Sequence, residues 1–266
     1  TNALTINGAG ASSVGAITNS SSTAGAYVGA VTLGNDSAIG STAGAITISG
    51  AISASSSNFG LALIGDKAIT LSSTSNALRT VASGSSVGAL TIVNAGDLAI
   101  GSVTVGGNAY NGLNSSGTIS VKTTGDLTIS QNVVTTSTST TASAPAILLA
   151  AGYDQSAGTV TKNIILSGSP AITAGSGGII DFYTGDSSGS TGLPTYVNTQ
   201  STKSYTYNST LTTQPVSGGY NVIYRGALPY IYLTIVDSQT GTYGAASGLS
   251  YWYSTSPTLY GSSYLP

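Results

Sequence analysis

The sequence predicts an all-β protein. Most of its length reads as a three-faced parallel β-helix of about 30 residues per coil, followed by a Tyr-rich β connector and the start of a separate β module. Three observations carry this expectation. Gly, Ser and Thr make up 118 of the 266 residues, yet 40% of the chain is hydrophobic, which argues for burial rather than a disordered linker. The apolar residues come in triplets and quartets, with no run long enough to cross a membrane as a helix. Helix formers are scarce, since Glu and Met are absent, while Thr, Val, Ile and Tyr are abundant.

The solenoid rests on an internal repeat. Four segments align: Val31–Ile39, Leu61–Ile69, Leu90–Ile100 and Ile119–Ile129, each leading with alternating apolar residues and passing through an aspartate, at Asp36, Asp66, Asp97 and Asp126. The lead residues lie 30, 29 and 29 positions apart. A further apolar cluster recurs less regularly at Ile46–Ile48, Leu78–Val81, Val103–Val105, Val133–Val134 and Ile164–Leu166. Each unit holds short strands between Gly, Asn, Ser and Thr turns, and is too small to bury its own apolar side. Stacking successive units at about 4.8 Å would close a continuous core of Ile, Val and Leu columns, with Ser and Thr outside. Apolar triplets at Ala3–Ile6, Val14–Ile17, Ile147–Leu149 and Ile179–Phe182 extend the stack across residues 1–183. The polar stretches Ser53–Asn58, Thr135–Ser143 and Thr184–Gly192 read as turns or protruding loops.

The composition changes after residue 183. Thirteen of the 16 tyrosines, the single Trp252 and five of the seven prolines lie at or beyond Tyr183. Residues 184–228 are expected to form a connector or cap, and 229–266 a partial β module. The alternating pairs Tyr205/Tyr207, Tyr230/Tyr232 and Tyr251/Tyr253 read first as core and edge positions of strands, and second as stacking surfaces for carbohydrate or protein.

Gly125–Ile129 (Gly-Asp-Leu-Thr-Ile), Gly88–Ile92 and Gly44–Ile48 resemble the repeats of the filamentous haemagglutinin family of bacterial secreted exoproteins and adhesins. The step from Ile179–Asp186 into a Tyr-rich stretch ending at Tyr224 is similar to the way those solenoids terminate. Thr242–Gly244 followed by Gly248–Tyr251 resembles the opening of the MBG-type Ig-like repeats that follow them. The resemblance implies export across a bacterial outer membrane, display at the cell surface, and roles in adhesion or biofilm matrix. The family's Asn-Pro-Asn secretion motif is not among these residues, as the chain has no Asn-Pro pair.

Composition excludes much chemistry. Without His or Cys there is no imidazole acid/base pair, thiolate nucleophile, disulfide or Cys/His metal site. A net charge of −2 offers no basic face for nucleic acid or anionic lipid, so no nucleic-acid partner, membrane insertion or cofactor is expected. An enzyme is not expected either: a β-helix lyase or glycosidase needs clustered carboxylates, and Asp181 with Asp186 reads as two turn caps. The Asp36, Asp66, Asp97 and Asp126 column is a weak metal candidate, through a Ca²⁺ ladder. Gly-Asp turns whose carboxylates bond backbone N–H groups are the favoured reading. Ice binding through Thr32, Thr47, Thr70, Thr91, Thr104 and Thr128 is weaker still, because the columns look interrupted.

The expected function is therefore that of a secreted structural or adhesive exoprotein. Its solenoid would be a stalk or filament body, with the chain itself as first partner and surface glycans as a second. The open ends of a β-helix accept strands, which places the assembly interface at Leu4, Ile6, Tyr230, Tyr232, Leu233, Tyr251, Trp252 and Tyr253. The alternative is a glycan- or host-binding adhesin acting through loops near 135–143 and 184–200.

Overall fold

The computed structural model describes residues 2–56, 58–212 and 218–227, together with the backbone of the strands Tyr232–Ile235 and Tyr251–Ser254. The chain divides into two units, Thr1–Ala227 and Leu228–Pro266. The step at residue 183 therefore marks a change in composition, not the end of the first unit. In the second unit, Tyr232–Ile235 and Tyr251–Ser254 pair antiparallel, with Tyr232 opposite Ser254.

The first unit is all-β and solenoid-like, dominated by parallel sheets through which the chain passes in turn. One nine-stranded sheet runs from Gly25–Tyr27 through Ile46–Ile48, Ile69–Leu71, Leu90–Asn94, Ile119–Thr123, Ile147–Ala151 and Ile180–Thr184 to Tyr220–Tyr224 and Lys203–Thr206. A second, bent nine-stranded sheet centres on the long strand Val31–Ser41. The first half of that strand pairs with Leu4–Ile6 and Ile52–Ala54, and its second half with Ile17–Asn19 and Leu61–Gly65. A three-stranded sheet, Leu113–Ser115, Val133–Thr135 and Ile172–Thr173, completes the winding in the later coils.

Alternation explains the burial. In Ile46–Ile48, Ile69–Leu71, Leu98–Ile100 and Leu127–Ile129 the outer two residues are buried and the middle one is half-buried, the two-residue period of a strand with one face in the core. Ile, Leu and Val from Ile6 to Val222 form one continuous cluster.

The register departs from a uniform repeat of about 30. In the first sheet, paired residues are 21, 23 and 21 positions apart in the early coils, then 29, 28, 33 and 40. Leu90 and Ile119 are true partners. Val31, however, pairs with Leu4 and Ile52, and Leu61 with Ser37 and Val81, so the four aligned segments occupy different faces. The physical reason is that every face uses the same Ile-Thr-Ile-like triplet, so sequence similarity does not distinguish one corner from the next. Later coils are longer because they carry insertions. Val103–Val105 belongs to one of these, the antiparallel hairpin Ser102–Val105 with Asn108–Asn111, and not to a coil strand.

Candidate functional site

The four aspartates do not form one column. Asp97 and Asp126 stack in successive coils: Asp97 Oδ1 accepts the Asp126 N–H at 2.9 Å, and Asp126 Oδ1 accepts the Asn163 N–H at 2.6 Å. Asp36 lies within the long strand and accepts the Gly60 N–H at 2.7 Å. Asp66 is exposed and pairs with Lys67 at 3.0 Å. Three carboxylates thus serve as acceptors for the backbone of the following coil. This requires close approach: a Cβ on Gly125 would stand 2.3 Å from the Asp97 nitrogen. No group of three acids able to hold a metal occurs among the described residues.

The carboxy-terminal end of the first unit is built from the tyrosines. The helix Leu193–Asn198 buries Leu193 and Val197 in the core. The Tyr196 hydroxyl accepts the Ile172 N–H at 2.9 Å and donates to the Ile172 carbonyl at 2.7 Å, while Tyr220 donates to the same carbonyl at 3.1 Å. Two phenols therefore stand where the next strand's backbone would be, satisfying polar groups of the terminal strand. Burial pushes the Tyr196 hydroxyl up to about 12. Tyr224 is buried and stacks with Tyr207 at 5.1 Å and Tyr205 at 6.4 Å, so Tyr205 and Tyr207 are cap residues.

An acid and a base, Asp181 and Arg225, are buried at this end of the unit. Asp181, 1% exposed, is not a turn cap. It lies mid-strand beside Leu148 and Asn221 and accepts from Asn221 Nδ2 at 2.8 Å, with Asn221 in turn accepting from Ser204. Burial raises its carboxyl to about 6, against the lowering effect of the Asn221 hydrogen bond. Asp186 does cap a turn, accepting from the Gly189 N–H and the Ser188 hydroxyl. Arg225, 2% exposed, donates to the carbonyls of Ala151, Thr161 and Lys162 at 2.5–2.6 Å. Burial lowers its pKa, opposed by Asp154 and Asp126. The guanidinium ties the last strand to the 151–162 loop.

A groove lies elsewhere on the first unit. The hairpin Ser102–Asn111 folds back over the outer side of the bent sheet, where Val103 and Val105 pack on the register column Ala38, Ala62 and Ala82, with Tyr110 half-buried against the same cluster. Small residues make this possible, and a Cβ on Gly60 would meet Val103 at 2.6 Å. Beside the hairpin, stacked turns leave a groove of about 460 Å³, lined by Ser13, Thr42, Ile64, Asp66, Ser86 and Tyr110 among others. The loop forming one end holds Ser12 and Ser13 in left-handed conformations, φ 57° and 56°. Sequence reasoning missed this site, although Gly106-Gly107 between alternating segments is a two-residue hairpin signal, and both glycines adopt positive φ.

Of the residues expected at an assembly interface, Leu4 is 38% exposed and Ile6 is buried on the first strand. Tyr232, Leu233, Tyr251, Trp252 and Tyr253 lie on the two antiparallel strands of the second unit, where Leu233 opposes Tyr253. Tyr230 lies outside the described residues. The Thr positions considered for ice binding are partly aligned: Thr47, Thr70 and Thr91 occupy consecutive strands of one sheet, followed by Ser120 and Leu148. Thr104 lies on the hairpin and Thr128 on the other large sheet. No protein-family model, curated protein or solved structure matches the chain.

Proposed function

We propose that the chain is part of a secreted structural or adhesive exoprotein of the filamentous haemagglutinin type, displayed at a bacterial cell surface and without enzymatic activity. In this reading the three-faced solenoid is a rigid stalk or filament body, and residues 229–266 open an MBG-type Ig-like module. One observation carries the proposal: parallel strands stack almost without interruption from Leu4 to Tyr224 around one continuous apolar cluster. Such a stack resists bending and unzipping, because each coil is held by its neighbours.

Two further features support it. The strands Leu4–Gly8, Ile17–Asn19 and Gly25–Tyr27 each pair on one side only among the described residues, leaving backbone edges of the kind that accept an added strand. The interior spends its buried polar groups on holding coils together: Asn76 and Asn94 are fully buried and bond backbone groups of adjoining strands. Electron microscopy of the purified chain at micromolar concentration and at high dilution, with light scattering for mass, tests the reading. Uniform rods or unbranched fibres are expected. Flexible or globular particles would refute it.

A further inference from the structure

We infer that the groove beside the Ser102–Asn111 hairpin is a binding site for an uncharged saccharide chain. Its volume of about 460 Å³ falls within the range of small-ligand sites. Its floor consists of turns at matching positions of stacked coils, since Ser41 pairs with Gly65 and Leu63 with Ser83, which carries Thr42, Asp66 and Ser86 into successive levels. The Ser13 loop, leading into the strand that pairs with Ile39–Ser41, adds a fourth level. At the inter-strand spacing the levels span about 14 Å along the stack, the shape of a trough for a short linear chain rather than a pit for a compact molecule.

The lining chemistry is mixed in the way a sugar requires. Tyr110 and Ile64 supply apolar surface, and an aromatic ring with a polar tip suits the C–H face of a pyranose. Ser13, Thr42, Ser85 and Ser86 are exposed and bring hydroxyls that both donate and accept. Asp66 is the one ionisable group apart from Tyr110 on the wall, and its Oδ2 is held by Lys67 at 3.0 Å. That leaves Oδ1 to accept from ligand hydroxyls and gives no net positive field to attract an anion. The wall is also prepared in advance: the hairpin is anchored by Val103 and Val105, 3% and 1% exposed, so little ordering cost falls on binding.

The inference stands apart from the stalk reading, which microscopy decides. The test titrates the full chain with cellohexaose, mannohexaose, xylohexaose and chitohexaose, with oligogalacturonate as the charged control. Two-dimensional NMR and calorimetry provide the readout. Saturable binding of at least one neutral hexasaccharide is expected, with shifts at Asp66, Ser86 and Tyr110. Tyr110→Ala should weaken it about tenfold or more, and Tyr110→Phe should retain the stacking part. Ser86→Trp, at an exposed turn position, should block the groove without touching the hairpin anchor. If Tyr110→Ala lowers the melting temperature, the Ser86→Trp result decides. Absence of binding by every neutral hexasaccharide, binding confined to oligogalacturonate, or full binding by a folded Ser86→Trp variant would overturn the assignment.

Discussion

Asp181→Asn should make the protein more stable above pH 6 and leave it unchanged in acid. Asp181 is 1% exposed, and burial raises its carboxyl from 3.8 to about 6. Between those values the folded chain holds a proton that the unfolded chain releases, so stability falls as pH rises. The contribution is fully present below pH 3.8 and lost as pH passes through 6. The difference of roughly two pH units corresponds to about 3 kcal/mol, at 1.36 kcal/mol per unit. Asn is nearly isosteric and can still accept from Asn221 Nδ2, so the substitution removes the buried charge while keeping the contact seen at 2.8 Å. For a unit of this size, about 3 kcal/mol moves Tm by about 6–12 °C. Thermal unfolding of both proteins from pH 3.5 to 8, followed by circular dichroism, should give curves that coincide in acid and separate across this window, with the variant higher. Parallel curves at all pH values, or a variant less stable at pH 8, would refute the account of a desolvated carboxylate.

Arg225→Met should destabilise the first unit, at about 1–3 kcal/mol for each buried carbonyl left unsatisfied, because those of Ala151, Thr161 and Lys162 lose their common donor; urea denaturation measures it, and limited proteolysis should reveal earlier cutting in 151–162. Asn94→Ala should cost about 1–3 kcal/mol, since Asn94 Oδ1 accepts the buried Leu78 N–H at 2.8 Å and Ala leaves that donor without a side-chain partner; a change within a few tenths in the same assay would show that the strand relaxes.

The cap shows where sequence reading succeeded and where it stopped. The density of tyrosines after Tyr183 marked a change of composition within the first unit, and the alternation at Tyr205 and Tyr207 found the strand Lys203–Thr206, with Tyr205 on it and Tyr207 just beyond its end. That Tyr196 and Tyr220 would close the edge at Ile172, 24 and 48 positions earlier, carried no local signal. Nor did Arg225, a lone cation whose partners are main-chain carbonyls and so leave no pattern of residue types. Asp181 and Asp186 look alike in sequence, yet one is buried mid-strand and the other caps an exposed turn. The saccharide groove was partly legible through its Gly-Gly hairpin, but its floor joins turns from separate coils.

The sequence by itself determined the class of the molecule. Short alternating segments, abundant β-branched residues and the absence of Glu and Met permit strands and little else, and the inward Ile, Leu and Val of each triplet are the residues that are buried. Only the tertiary structure decided which triplet lies on which. Side-chain alternation repeats every two residues and is the same on every face, so the Leu61 segment fits the Val31 segment in letters while lying at another corner. Register was chosen by the whole stack, through insertions that lengthen some coils, small residues such as Gly60 and Gly125 that admit close neighbours, and buried Asn and more exposed Asp side chains that reach the backbone of adjoining turns.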